Sequence, residues 1–486
     1  MSQIKLPKLR KLDPNKPKKK KILLLSDDLR MHSGIGTMSR EFVLGTIDKY
    51  DWVQLGAAIK HPDNTKVIDI SADVAKETGV TDAYCKVYAY SGYGNAQVLN
   101  EIIAMENPDA ILHFTDPRFW RWLYDVEHQI RQHIPLMYYN IWDDLPYPFW
   151  NEPFYESCDL LMNISRQTNN IVKNVLREFP KPDWAVQWVP HGSNEKTYYP
   201  ITELHSSWKD YKEWETQFKL SHDIDFLVFW NNRNIRRKNP ADLILAFNHF
   251  CEQLPKEKAQ KCALMMHCSI SDENGTDLLA VKKALCPKYK IIFSDKPVDQ
   301  KTLCFFYNAA DVTVNIASNE GFGISWNESL HCGTPIVNNV TGGLQDGCRF
   351  VDDKTNKWIE FTTEFPSNHD GTYKEHGQWV KPVFPTNRSL QGSPMTPYIF
   401  DDRCDFRDVA NAIKYWYDMP KEKREEYGME GHDWVCGDES NMSARGMSNR
   451  MAECIEECLE KWTPRKRVTM YKVEAEKTIE KPGVVI

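Results

Sequence analysis

Asp311-Val-Thr-Val-Asn-Ile-Ala-Ser318-Asn319-Glu320-Gly321-Phe322-Gly323-Ile324-Ser325-Trp326-Asn327-Glu328-Ser329-Leu330-His331-Cys332-Gly333-Thr334-Pro335-Ile336-Val337 reads as strand, glycine turn, helix, glycine stop and strand. Gly321 and Gly323 permit a tight turn and let a ligand approach the backbone closely. The helix after them presents unpaired N–H groups and a positive dipole end, suited to a phosphate or a sugar hydroxyl. Glu320 stands before the turn and Glu328 stands eight residues later, in the helix. Two carboxylates so placed can reach different parts of one extended, hydroxyl-rich ligand, since each oxygen accepts hydrogen bonds. Taken alone, the stretch also fits an ordinary strand–turn–helix with surface glutamates.

The surroundings extend the pattern in both directions. The first strong strand signal is Lys21-Ile22-Leu23-Leu24-Leu25-Ser26-Asp27, followed by apolar runs at 52–59, 110–115, 135–142, 160–165 and 185–190. Helical spacing appears between them, as at 95–106 and 166–178. Continuous apolar strands alternating with helices predict a parallel sheet covered on both faces. The series then restarts at 225–231, 262–268, 290–294, 311–317 and 335–338. Two such series predict an α/β chain of two doubly wound, Rossmann-like domains. The expected division is a domain at 21–191 and a second at 192–444, joined near Pro190-His191-Gly192-Ser193. Residues 350–402, rich in proline and glycine, read as an elaborated loop or insertion. A helix at 445–465 is expected to return to the first domain, with tails at 1–20 and 466–486.

A second segment carries charge. The strand Phe226-Leu227-Val228-Phe229-Trp230 leads into Asn231-Asn232-Arg233-Asn234-Ile235-Arg236-Arg237-Lys238-Asn239-Pro240. Four cations in six residues fall at the C-terminal end of a strand, where open α/β sheets bind ligands. Arginine offers a planar fork for phosphate oxygens and lysine a point charge. The plain alternative is a solvated basic turn before a helix.

These motifs, in this order, resemble those of the GT-B-fold retaining glycosyltransferases of family 4, the group 1 glycosyl transferases. The Glu320–Glu328 stretch is similar to that family's Glu-x7-Glu signature, and Arg233 and Lys238, five apart, to its diphosphate clamp. Trp188 to Pro200 resembles the interdomain segment, Asp159 to Ser165 a strand of the first domain, and Ser33-Gly34-Ile35-Gly36-Thr37 the glycine loop after the first strand. The resemblance spans residues 21–465, with 350–402 poorly covered. It implies transfer of a sugar from a nucleotide-diphosphate donor, UDP- or GDP-linked, to an acceptor hydroxyl. Arg233 and Lys238 would neutralise the leaving diphosphate, Glu328 would bind the ribose hydroxyls and Glu320 the donor sugar. The backbone of Gly321, Phe322, Gly323 and Ile324 would hold sugar and phosphates, and Gly34 and Gly36 would let the first domain's loop approach the diphosphate. With fixed cations and amides stabilising the leaving group, no metal is required. The resemblance also implies retention without a protein nucleophile, the acceptor proton passing to the departing phosphate. The family's histidine after the strand at 135–142 is absent here; the sequence reads Tyr138-Tyr139-Asn140-Ile141-Trp142-Asp143-Asp144. Asp143 or Asp144 takes its place facing the reacting centre, or His113 does from the neighbouring strand end.

The acceptor is open. Residues 119–155 hold twelve aromatics, and such faces stack on sugars or exposed bases as well as filling a core. A saccharide or glycoconjugate is the default acceptor of the family; a hydroxylated base in phage DNA is the second and a protein side chain the third. The net charge of −7 conceals a basic start: residues 1–21 carry nine Lys/Arg and one acid, leaving the remainder at −15. That tail, with Arg118 and Arg121, suits nucleic acid or an anionic membrane, or is simply solvated. The acidity elsewhere counts against extensive nucleic-acid contact.

Other classes are weighed on the same residues. A non-catalytic nucleotide-sugar-binding protein of the same fold has no chemical need for Arg233, Lys238, Glu320 and Glu328 together. An epimerase or phosphorylase of this fold would be separated by its products. A nicotinamide dehydrogenase is disfavoured because Ser33-Gly-Ile-Gly36 lacks the third glycine of that fingerprint. No apolar run reaches the roughly 18–20 residues of a membrane span, and no signal-peptide core precedes the first strand. Thirteen scattered cysteines suit a reducing, cytoplasmic compartment, in the host cytoplasm if the protein is viral. Cys454 and Cys458 lie one helical turn apart without a companion pair, so no metal site is expected.

Overall fold

Ile22-Leu23-Leu24-Leu25 is fully buried, with alternate side chains feeding two different cores. Ile22 and Leu24 join the cluster containing Phe42 and Tyr139, and Leu23 and Leu25 join the one containing Trp120 and Tyr155. A strand covered on both faces has no polar side to alternate, and so its sequence is a continuous apolar run. The computed structural model describes residues 18–31 and 33–466; the basic segment up to Pro17 and the tail after Lys466 lie outside the described residues.

The first sheet has eight strands: β1 (Lys20–Asp27), β2 (Tyr50–Ala58), β3 (Val67–Asp69), β4 (Cys85–Ser91), β5 (Ala110–Phe114), β6 (Leu136–Asn140), β7 (Leu160–Asn163) and β8 (Val186–Trp188). Their order is β3-β4-β2-β1-β5-β6-β7-β8. All neighbours are parallel except the short edge pair β3–β4. The second sheet holds β9 (Phe226–Asn231), β10 (Cys262–His267), β11 (Lys290–Ser294), β12 (Val312–Asn315), β13 (Ile336–Asn339) and β14 (Val380–Val383), in the order β11-β10-β9-β12-β13-β14 and parallel throughout. In both sheets the strand order reverses beside the first strand of the series, which opens a crevice at the strands' C-terminal ends.

The stretch 350–402, expected as a loop, contains more regular structure than its prolines suggest. Val380–Val383 completes the second sheet beside β13, and β15 (Asn387–Ser393) pairs antiparallel with β16 (Thr396–Arg403) as a hairpin. Pro382 fits because β14 is an edge strand, where one missing N–H costs no ladder bond.

The two domains are tied at the chain crossing. Ser193 N–H donates to the Met442 carbonyl (3.2 Å), and Ala444 N–H returns a bond to the Ser193 carbonyl (2.8 Å). Asn327, in the glutamate-bearing helix, accepts from Ser193 N–H at 3.0 Å and donates to the Met442 carbonyl at 3.2 Å. The helix Ala444–Lys461 then packs on the helix Gly34–Gly45 of the first domain, where Tyr50 donates to the Ala452 carbonyl at 3.2 Å. Gly192 makes the crossing possible: a Cβ there would lie 2.0 Å from the Ser443 carbonyl oxygen, a backbone atom that cannot swing aside. Gly192→Ala is therefore expected to destabilise the protein by about 1–3 kcal/mol, as overpacking does, seen as a lowered thermal midpoint. Gly34→Ala, at a position with open space around it, is expected to leave that midpoint nearly unchanged.

Candidate functional site

The loops after β9 and β12 meet at the centre of the second sheet's C-terminal edge. The Asn239 side chain donates to the Ile316 carbonyl (2.9 Å) and Ser318 N–H to the Arg237 carbonyl (2.7 Å), which fixes the basic loop against the glycine loop. Across this seam the Lys238 ammonium forms an ion pair with Glu320 Oε2. Arg237 adds a bond to the same oxygen at 3.2 Å and one to the Asn319 carbonyl at 2.8 Å. Burial first, then Arg237, lowers the Lys238 pKa, and Asp143 opposes that fall, as does the Glu320 carboxylate in contact with it. Arg233 lies further out: it is 63 % exposed and pairs with Asp272 at 2.9 Å.

Glu328 sits in a different environment. It projects from the helix Ile324–His331 into a pocket of neutral donors at the end of β9. The Tyr307 hydroxyl donates to Glu328 Oε2 at 2.6 Å, and the Asn231 amide lies 2.9 Å from that hydroxyl and 3.5 Å from the same carboxylate oxygen. Tyr198, from the segment after the chain crossing, hydrogen-bonds the carboxylate as well. Burial outweighs these bonds and pushes the Glu328 pKa up to about 7.

Gly323 starts the glutamate helix with φ +83°, and a Cβ there would meet Leu344 at 2.6 Å. Gly321 faces the first domain, where a Cβ would lie 2.9 Å from the Ile141 carbonyl oxygen and 3.2 Å from Asp143 Oδ1. Gly321 thus serves close backbone approach between the domains, and Gly323 a left-handed turn packed within the second domain. Phe322 is buried, with its ring 5.4 Å from that of His191.

The structure brings Asp143 to Gly321 and the Lys238–Glu320 pair. Asp144 turns away and is fully buried; Thr341 Oγ1 bridges its Oδ2 and Asp402 Oδ2, each at 3.0 Å. His113 lies inside the first domain's core, stacked on Tyr138 at 5.2 Å with Nδ1 2.8 Å from the Tyr124 hydroxyl. Burial pulls its pKa down to about 3, so it is a neutral packing group there and not a side chain facing the cleft. Gly36 is confined by local backbone, where a Cβ would lie 2.7 Å from the Met31 carbonyl oxygen, whereas Gly34 is exposed at the start of its helix, beside the Ser33 cap.

Four contributors to this region escaped the reading of the sequence: Arg237, Asn231, Tyr307 and Tyr198. Arg237 was visible as a member of the basic run, but its neighbour Lys238 fitted the spacing better. Tyr307 belongs to the helix Gln300–Ala309, and no local signal ties it to Glu328.

The hairpin β15–β16 spans the cleft. Phe400 N–H donates to the Leu145 carbonyl (2.8 Å) and the Tyr398 hydroxyl to the Tyr147 carbonyl (3.1 Å) in the first domain. On the other side Asp402 N–H donates to the Ser318 carbonyl at 2.9 Å. Trp150 meets Tyr398 edge-on at 4.2 Å, so part of the aromatic cluster seen in sequence lines this junction. Of the basic segment, Lys19, Lys20 and Lys21 are ion-paired with Asp82, Asp109 and Glu106 of the first domain. Among the described residues no group of His, Cys, Asp or Glu could hold a metal ion, and no helix is long and apolar enough to cross a membrane. A cavity of about 340 Å³ at Pro200, Tyr211 and Cys332–Pro335 is not lined by Glu320, Glu328, Arg233 or Lys238.

Comparison with known proteins bears on this geometry. Residues 212–359 match the family model for glycosyl transferases group 1. A D-inositol 3-phosphate glycosyltransferase of Thermomonospora curvata is 46% identical over 55 residues, 11% of this chain and 13% of that protein. Its counterpart in Catenulispora acidiphila, D-inositol 3-phosphate glycosyltransferase 2, is 47% identical over 49 residues, 10% and 12% of the two chains. These matches cover about an eighth of the relatives' length. Solved structures are similar over far more of the chain. The Anabaena protein HepE, in complex with UDP and glucose, superposes with TM-score 0.59 at 12% identity over 90% of this chain and 100% of its own. Sucrose-phosphate synthase from Thermosynechococcus elongatus gives 0.61 at 14% identity over 91% and 100%. The fold is GT-B: two parallel α/β domains facing across a cleft.

A buried acid with a raised pKa favours the folded state in its protonated form. Its contribution is present below the unfolded value and falls away as pH rises towards the folded value. Thermal midpoints of the wild type and Glu328→Gln measured across this window should therefore diverge, the variant gaining on the wild type from about pH 5 to pH 7.5. A constant difference across the window would contradict the buried, raised carboxyl.

Proposed function

We propose that this protein is a metal-independent, retaining glycosyltransferase that moves a sugar from a nucleotide-diphosphate donor to an acceptor hydroxyl. The observation that carries the reading is the pairing of two unlike glutamates around one strand end. Glu320 is locked to Lys238 and Arg237, and Glu328 is held by neutral donors. One ligand reaching both would present a diphosphate to the cations and a ribose to the neutral pocket. The group 1 family match and the UDP complex of HepE support a nucleotide-sugar donor.

The roles are those that the resemblance to group 1 glycosyl transferases implies. Lys238, buried and fixed, takes the diphosphate, with Arg233 reaching in from the exposed rim. Departure of the nucleotide builds negative charge on the leaving oxygen, and preorganised cations stabilise it without reorganising. Glu320 accepts from a hydroxyl of the donor sugar and Glu328 from the ribose. The backbone of Gly321 to Ile324 lies along the sugar and phosphates, and the exposed Gly34 loop approaches them from the first domain. Asp143, at Gly321, faces the reacting centre from the acceptor side. The acceptor is a saccharide or glycoconjugate entering beside the aromatic junction of Trp150 and Tyr398, where ring faces suit pyranose stacking.

Arg233→Ala and Glu328→Ala are each expected to lower transfer by about 10²–10³-fold while the protein stays folded. Binding is read first. Thermal shift with UDP, GDP and ADP and their sugars, with and without EDTA, should show one diphosphate series stabilising the protein by about 2.7 kcal/mol at 100 times Kd. EDTA should leave that shift unchanged. No stabilisation by any series, or stabilisation that EDTA removes, would overturn the reading.

A further inference from the structure

We propose that Tyr307 is a positioning residue for the donor: its hydroxyl, itself tied to Asn231, holds Glu328 ionised and aimed at the ribose. The proposal rests on the donor-site reading above but concerns residues outside the glutamate and cation motifs.

The two glutamates of the site meet partners of different kinds. Glu320 has two cations at hand, Lys238 and Arg237. Basic side chains, whose attraction favours the carboxylate form, surround its Oε2. The partners named for Glu328 are all neutral: two phenols and an amide. A buried carboxylate without a cation carries a large desolvation penalty, and hydrogen bonds to the charged form are what oppose it.

The Tyr307 bond, at 2.6 Å, is shorter than that of Asn231 at 3.5 Å, and it is doubly fixed. Asn231 Nδ2 donates to its oxygen at 2.9 Å, so the phenolic proton is left to point at Glu328. The ring is fully buried and packs edge-on against Phe229 at 5.0 Å, and the Tyr307 carbonyl accepts from Thr334 Oγ1 at 2.7 Å. A phenylalanine would fill the same volume, so packing alone does not call for the hydroxyl. Both measured bonds, from Tyr307 and Asn231, fall on Oε2. That anchors the carboxylate by one edge.

The titratable groups around Glu328 come from three elements. Tyr307 and Cys304 belong to the helix Gln300–Ala309, Tyr198 to the segment after the crossing, and Cys332 to the end of the glutamate helix itself. Burial places the Glu328 pKa near 7, where losing one donor changes its charge at working pH. A ribose hydroxyl donates to a carboxylate and gains less from the neutral acid. Affinity for the donor should therefore rise with pH through this region, and removing the phenol should move that rise to higher pH.

The test is donor affinity as a function of pH, from about 6 to 9, for the wild type and Tyr307→Phe. The probes are UDP-glucose, GDP-mannose and ADP-glucose, whose diphosphate diesters carry constant charge over this range. The expected result is a wild-type midpoint near 7 and a higher midpoint in Tyr307→Phe. Affinity near pH 7 should fall about ten-fold and recover to nearly the wild-type value at the alkaline end. Tyr198→Phe should shift the midpoint the same way and serves if Tyr307→Phe does not fold. In a Glu328→Gln background the pH dependence, and its change on Tyr307→Phe, should vanish. A loss equal at every pH, an unmoved midpoint, or a flat wild-type profile would overturn the proposal while leaving donor binding intact. Failure of all three probes to bind the wild type would instead count against the donor site itself.

Discussion

The buried ion pair between Lys238 and Glu320 is the contact on which the site depends. It joins the loop after β9 to the loop after β12, the two segments that flank the centre of the second sheet. Neither charge would be stable alone in that position, because a buried ion without a partner costs several kcal/mol. Each residue therefore fixes the other, and the bonds from Asn239 to the Ile316 carbonyl and from Ser318 to the Arg237 carbonyl follow from bringing the loops together. With the loops set, the glycine turn runs close under the first domain's Ile141–Asp143 segment.

The same economy appears between the domains. Asn327, one residue before Glu328, bonds the chain crossing at Ser193 and Met442. Asp346 accepts from Arg166 N–H at 3.0 Å, at the N-terminal end of a first-domain helix where a carboxyl is favoured by the dipole, though burial pushes its pKa up to about 7. The hairpin makes a third link, through Leu145 and Tyr147. The glutamate helix is thereby referenced to the first domain as well as to its own sheet. This suits a reaction in which one domain holds the donor and the other presents the acceptor.

Much of this was legible in the sequence because its strands are buried on both faces. β1 and β9 contain continuous apolar runs, and β12, Val-Thr-Val-Asn, is buried along its whole length; their reading gave the two doubly wound domains. β4 was missed because its burial alternates, with Cys85, Val87 and Ala89 inward, so it carries no such run. β14 to β16 were missed because prolines and glycines concealed an edge strand and a hairpin. At the site, spacing located the glutamates and cations but not their partners. Tyr307 is 21 positions from Glu328 and Tyr198 further still, so only the tertiary fold brings them together. His113 drew attention as a histidine at a strand end, and the structure places it among aromatic rings in the core.

The most direct measurement is a crystal structure with the nucleotide sugar that stabilises the protein best. The account predicts the ribose hydroxyls within hydrogen-bonding distance of Glu328, the diphosphate on Lys238 and Arg233, and the sugar between Glu320 and Asp143. A nucleotide bound elsewhere, or one in this cleft with its ribose turned away from Glu328, would contradict it.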